Sequence, residues 1–255
     1  MSATNPVVEV VDLLRQLRLP HMRTTAPELL APAKGQRWDP AEAVRALLAG
    51  ELAGRQASSV RARREAAGFP TGKTSDAWDP TISSIAAPTQ RALQSLEWVQ
   101  RAENVVICGL SGTGKSHLLE ALGHAAIDTG DHVLSWFSLE TIGGLLRRRR
   151  ADDTTGRAIK LLMRADVIVI DDIRLLPVTT ETAQALYRVV DAAYEKRSIP
   201  LSFNLHPAGI DELMPKTIAI ATVDRLLHHA HLVVTTGDSI RLNQATAGKA
   251  VTPLA

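Results

Sequence analysis

The sequence predicts an α/β fold: a parallel sheet flanked by helices, organised around a phosphate-binding loop and preceded by a small helical region. Three observations carry this. The apolar run Val105-Val-Ile-Cys108 leads directly into Gly109-Leu-Ser-Gly-Thr-Gly-Lys-Ser116, a complete G-x-x-x-x-G-K-[ST]. A second apolar run, Val167-Ile-Val-Ile170, closes on Asp171-Asp172. Between and after them, helical and strand-like stretches alternate, the pattern of a parallel sheet covered on both faces.

From the N-terminus, residues 6–19 place apolar side chains at intervals of three and four, which predicts an amphipathic helix stopped by Pro20. Residues 25–37 contain Pro27, Pro32 and Gly35 with little periodicity and read as loop or broken helix. A second helix is expected from Asp39-Pro40, a good cap followed by a residue suited to the first turn, to about Ala67, with Gly50 and Gly54 leaving two shorter helices open. Arg45, Arg55, Arg61, Arg63, Arg64 and Lys73 outweigh Glu51 and Glu65 here. Arg55, Arg61, Arg63 and Arg64 are candidates for DNA phosphates, although a solvated helix face has the same composition. The organisation expected is a helical N-terminal domain over 1–67, a linker over 68–88 and a nucleotide-binding domain over 89–255.

Pro70, Gly72, Pro80 and Pro88 punctuate the linker, and Trp78 reads as its one anchor. Gly72-Lys73-Thr74 imitates half of a phosphate loop, but Ala67 stands where the first glycine would be and no strand precedes it, so it reads as a decoy. A helix over 89–101 then leads to the strand before the loop.

Within Gly109, Leu110, Ser111, Gly112, Thr113, Gly114, Lys115 and Ser116, the glycines let backbone N–H groups turn inward onto phosphates. Lys115 reaches the outer phosphates and the Ser116 hydroxyl is a magnesium ligand. His117 opens a Leu- and Ala-rich helix whose positive end faces the loop. A second strand follows Gly130, and then a helix over 139–150 ending in Arg147, Arg148, Arg149 and Arg150. These arginines either line a DNA surface or form a solvated helix end favoured by the dipole. Asp171 is assigned to magnesium and Asp172 to activating the attacking water, because magnesium requires hard oxygen ligands and the water a base. A helix from Thr180 to Arg197 and a strand ending at Asn204 follow. Asn204 reaches a γ-phosphate-bound water or simply caps the next turn.

Composition fits an ordinary soluble protein with a proper core. The 255 residues are 45% apolar and 22% charged with a formal net charge of +2, which neither demands nor excludes nucleic acid. Cys108 is the one cysteine, expected as a small core residue, so an intramolecular disulfide is excluded. With no secretory signal and no membrane-spanning apolar run, a cytoplasmic protein is expected.

Beyond Asn204 the chain reads Thr222-Val-Asp-Arg-Leu-Leu-His-His-Ala-His-Leu-Val, then Gly237-Asp-Ser-Ile-Arg-Leu242. Together with the loop, Asp171-Asp172, Asn204, the leading Leu17-Arg-Leu-Pro-His-Met and the approach Leu96-Glu-Trp-Val-Gln-Arg-Ala-Glu-Asn, this resembles the IstB-like transposition helper ATPases, AAA+ relatives of the DnaC-type helicase loaders. The resemblance implies an ATP- and Mg2+-dependent protein that binds double-stranded DNA, self-associates into a ring or helical oligomer and assists a transposase. It implies an arginine finger at Arg225, a sensor role for Asn204 and a second nucleotide-sensing arginine at Arg241. Asp172 departs from the Glu common in AAA+ ATPases, and residues 205–220 follow the family pattern poorly. An intramolecular ion pair is the plainer reading of Arg225, and His228, His229 and His231 read as packing at a helix end or near a subunit boundary rather than as metal ligands. The alternatives are a helicase loader working through protein contacts, and a small-molecule kinase, which would leave Arg225 unaccounted for.

Overall fold

The computed structural model describes residues 6–74, 76, 78–130, 132–151, 154–173, 178–204 and 214–246. It divides into two compact units, Met1–Ala62 and Arg63–Ala255. The first holds α1 (Pro6–Gln16), α2 (Pro20–Gly35) and most of the 28-residue α3 (Pro40–Ala67). Its core is Leu14, Met22, Ala26 and Leu47, with Val10, Leu19, Leu29 and Leu30 packed around them.

In this unit the first helix does end before Pro20, at Gln16, but one expectation is incomplete and another fails. Pro20 does not merely stop a helix; it occupies the first turn of the next, where its missing N–H costs nothing. Residues 25–37 are not a loop, because α2 runs through Pro27 and Pro32. An interior proline costs about 3 kcal/mol. Against that, Met22, Ala26 and Ala33 bury one helical stripe, and the buried Glu51 carboxylate accepts the His21 and Met22 amides (2.9 Å each) at the helix start. Helix α3 is unbroken despite Gly50 and Gly54; at Gly54 an added Cβ would come within 2.2 Å of the His21 ring, so a close approach requires the glycine.

The second unit is a five-stranded, all-parallel sheet in the order β2-β3-β4-β1-β5, with β1 Asn104–Gly109, β2 Leu134–Ser138, β3 Val167–Ile173, β4 Pro200–Phe203 and β5 Ala230–Thr235. The expected strands at β1 to β4 are all present, and Cys108 is fully buried in β1, where burial pushes its thiol up to about 11. The helix expected over 89–101 is two, α4 (Ala87–Gln94) and α5 (Glu97–Gln100), parted where Leu96 adopts a left-handed φ of 59°. The helix after the loop, α6, spans Lys115–Gly130, and α7 spans Leu139–Ala151. A short α8 (Thr155–Leu162) follows, and α9 (Thr180–Ala193) ends before Arg197 because Tyr194 turns extended and Glu195 left-handed. Helices α10 (Lys216–His228) and α11 (Ile240–Thr246) flank β5 in sequence. The parallel arrangement brings the carboxyl ends of β1, β3 and β4 together, where ligands of open α/β sheets bind.

Candidate functional site

The loop between β1 and α6 has the backbone its glycines predict: Gly109, Gly112 and Gly114 have φ of 142°, 87° and 90°. Space also requires two of them. A Cβ on Gly109 would sit 2.2 Å from Thr235 Oγ1, and one on Gly112 2.1 Å from Ser239 Oγ. The chain leaving β5 therefore packs directly on the loop, and the Ile240 amide donates to Gly112 O (3.0 Å). Lys115 Nζ folds over the loop and donates to the carbonyls of Gly109 (2.8 Å) and Leu110 (2.7 Å).

Across the loop, Ser116 Oγ donates to Asp171 Oδ1 (3.0 Å). Asp171 is buried, and the same oxygen accepts the hydroxyl of Ser202, a residue of β4, at 2.5 Å. Ser202 Oγ in turn accepts the Asp172 amide (3.0 Å). Pairing between β3 and β4 is irregular between Ile170 and Ile173, and Asp172 has φ 57°, unusual for a side chain with a Cβ. That bulge lets consecutive aspartates both serve the site instead of facing opposite sides of the sheet. Asn204 Nδ2 donates to Asp172 Oδ1 (2.8 Å), so the amide addresses the second aspartate.

These groups border a cavity of about 280 Å³ lined by Ser111, Gly112, Gly114, Lys115, Ser116, His117, Asp172 and Asn204. Its opposite wall is Lys73, Trp78, Asp79, Ile82, Ser83 and Ile240. Most of that wall comes from the segment expected to be a linker. Sequence reasoning missed Ser202, hidden in an ordinary strand, and Lys73, dismissed with its half-motif. Trp78 was visible as an anchor but not as a lining residue. Phosphates and magnesium fit this donor set: glycine-turned backbone, one buried ammonium and a hydroxyl–carboxylate pair of hard oxygens.

Other candidates lie elsewhere. Arg225 Nε pairs with Asp191 Oδ1 (3.0 Å), its guanidinium carbon 5.3 Å from the Tyr187 ring centroid, and it does not line the cavity. Arg55 is bound to Glu51 (2.8 Å) and Arg18 O (3.1 Å), and Arg64 grips both Asp128 oxygens. Arg61 is exposed and Arg63 half-buried. Arg147, Arg148 and Arg149 are exposed at the end of α7, and Arg147 lines an open groove of about 460 Å³ with Leu146, Glu181, Gln184, Ala185 and Arg188. The side chains of Arg150 and Arg241, like residues 205–213, lie outside the described residues. His228 hydrogen-bonds Tyr194 Oη (2.7 Å), His229 lies 3.5 Å from Glu195, and His231 pairs with Glu103 (2.7 Å). Among the described residues no helix is long and apolar enough to cross a membrane.

Residues 12–248 match the model of the family described as IstB-like ATP binding protein. The chain is 32% identical over 238 residues to a Pseudomonas aeruginosa protein named for ATP binding in insertion sequence IS21, covering 92% of this chain and 89% of that one. It is 28% identical over 248 residues to an insertion-sequence ATP-binding protein of Mycobacterium tuberculosis, covering 94% and 96%. Among solved structures, the replication initiator DnaA bound to AMPPCP and single-stranded DNA superposes with a TM-score of 0.54 at 20% identity, covering 71% of this chain and 55% of that chain. The DnaC helicase loader superposes with a TM-score of 0.52 at 16% identity, covering 65% and 98%. At these identities the two structures establish the fold, a parallel sheet flanked by helices around the phosphate loop, and nothing finer.

Proposed function

The chain belongs to the IstB-like ATP-binding family, and from that premise we propose that it is an ATPase that assembles on double-stranded DNA and assists the transposase of an insertion sequence. The observation that carries this reading is the convergence of Ser116, Asp171, Ser202, Asp172 and Asn204 in one hydrogen-bonded chain beside the phosphate loop. A nucleotide-binding module without hydrolysis needs the loop; it does not need two aspartates aimed at it by a strained bulge.

In this reading Lys115 leaves the Gly109 and Leu110 carbonyls for the phosphates, and the loop amides hold the phosphate chain. Ser116 and Asp171 hold Mg2+, which when bound spreads the negative charge of the transferring phosphoryl group. Asp172 orients the attacking water and takes its proton. Asn204 fixes the Asp172 carboxylate. Ser202 fixes Asp171 and the Asp172 backbone. Arg225 acts on the neighbouring subunit's nucleotide. Its pair with Asp191 is open to solvent, the two side chains being 32% and 51% exposed, and such a pair is worth about 0–1 kcal/mol, so a phosphate outcompetes it. Arg147 to Arg149 are favoured over Arg55 and Arg64 for DNA phosphates, because Arg55 is tied to the buried Glu51 carboxylate and the Arg18 carbonyl, and Arg64 holds both oxygens of Asp128, a two-point grip that the single Arg225–Asp191 contact lacks.

The test is binding to random duplex DNA with a non-hydrolysable ATP analogue, titrated with salt. Affinity requires the analogue and falls as salt rises. Charge reversal at Arg147, Arg148 and Arg149 lowers both the affinity and the salt slope, while Arg64→Ala leaves them nearly unchanged. Salt-insensitive binding, or binding of a replicative helicase in place of DNA, would contradict the reading.

A further inference from the structure

Glu120 lies on α6 one turn beyond Ser116 and is 1% exposed. Among the described residues no ion pair neutralises it. Instead its carboxylate accepts the Thr71 amide (3.0 Å), the Thr71 hydroxyl (2.5 Å) and the Gly72 amide. A buried carboxylate so fully engaged by one turn holds that turn in place. Gly72 has φ 69° with open space around its missing Cβ, so the left-handed turn itself asks for glycine. A few residues on, Trp78 is fixed by its indole N–H to Gln90 Oε1 (2.8 Å), and the Gln90 amide is fixed in turn to the carbonyls of Ile85 (2.7 Å) and Pro80 (3.3 Å).

Between these two anchors stands Lys73, exposed and lining the same cavity as Lys115 and Ser116. It lies on the His117 side: burial and then the Lys73 charge hold the His117 ring below its ordinary pKa, and Trp78 meets that ring edge-on at 5.1 Å between centroids. Asp172 and Asn204 belong to the hydrolytic end of the cavity, at the tips of β3 and β4. The wall formed by Lys73, Trp78 and Ile82 is contributed instead by the segment preceding the sheet, against the first turn of α6.

We propose that Lys73 is a second nucleotide-binding cation, which pairs with the part of the phosphate chain that ADP and ATP share and is delivered there by the Glu120 clasp. Gly72-Lys73-Thr74 is thus no phosphate loop, yet its lysine serves the same ligand. Lys115 discriminates nucleotide from no nucleotide at the outer phosphates. Lys73 adds affinity without regard to the γ-phosphate.

This rests on the nucleotide-site reading above, and the experiment separates the two. Isothermal titration measures ADP and a non-hydrolysable ATP analogue against the full chain and three variants. Lys73→Gln weakens both nucleotides by the same factor, on the order of tenfold, as for loss of one charge-assisted hydrogen bond. Lys73→Arg, which keeps the charge, recovers most of that loss, a result that a merely structural role for the side chain would not give. Lys115→Ala abolishes binding of both. If Lys73→Gln binds both nucleotides as the parent does, or loses only the ATP analogue, or is not rescued by Arg, the proposal is overturned while the site stands. If Lys115→Ala binds normally, the site reading itself falls.

Discussion

Ser202→Ala removes a single hydroxyl that hydrogen-bonds both aspartates, and so disconnects the site's acidic half. Ser202 is 1% exposed, and its hydroxyl donates to Asp171 Oδ1 at 2.5 Å and accepts from Asp172 N at 3.0 Å. A hydrogen bond to an ionised carboxylate is worth about 1.5–3 kcal/mol, and an N–H left buried without a partner costs about 1–3 kcal/mol. Asp172 is half-buried, so water can reach its amide, and the carboxylate hydrogen bond sets the expected loss of stability at about 1.5–3 kcal/mol. The functional effect is more specific. Partners that orient a metal ligand change metal affinity by roughly 10–100-fold, so the Mg2+ concentration at half-maximal ATPase rises by about that factor. The assay is steady-state hydrolysis at saturating ATP across a Mg2+ titration, with circular dichroism to confirm folding. A folded Ser202→Ala protein whose Mg2+ midpoint matches the parent would refute the assignment of Asp171.

Two further predictions concern His124, a buried residue of α6 whose two ring nitrogens find no hydrogen-bond partner among the described residues. The ring stacks on Phe69 at 4.0 Å, so His124→Phe keeps the stacking and removes the unpaired polar atoms; chemical denaturation should show a gain of about 1–3 kcal/mol. Burial first, and then the Arg64 charge, lower the His124 pKa, and burial lowers that of His117. The unfolded chain therefore binds protons more readily, and stability, full above about pH 6.5, falls as pH drops below it. His124→Phe should flatten that fall, and a parent equally stable at pH 5 and pH 7.5 would contradict it.

Much of this was legible in the residues. The loop, the aspartate strand and the alternation of elements specify the sheet because each is local and strongly patterned. What escaped was set by tertiary contact. Two prolines in α2 outweigh periodicity until the buried stripe and the Glu51 carboxylate are seen. Strand β5 hides because, as an exposed edge, it buries Val233 and Thr235 while showing His231, Leu232 and Val234 to solvent. Arg55 and Arg64 look available until Glu51 and Asp128 appear opposite them. Lys73 looks like part of a spurious motif because nothing near it in sequence reveals that Glu120, far along the chain, folds its turn onto the loop helix.

Arg225 is the least local claim of all, since its proposed partner is on another subunit, and mixing two inactive variants tests it most directly. Lys115→Ala retains the finger and lacks the loop cation; Arg225→Ala retains the loop and lacks the finger. Each alone should lose about 10³-fold or more in DNA-stimulated ATPase. Mixed at equal concentration on DNA they should recover part of the parental activity, because a Lys115→Ala neighbour supplies its finger to the intact loop of an Arg225→Ala subunit. Recovery no greater than the sum of the separate variants would contradict an ATP site built between subunits.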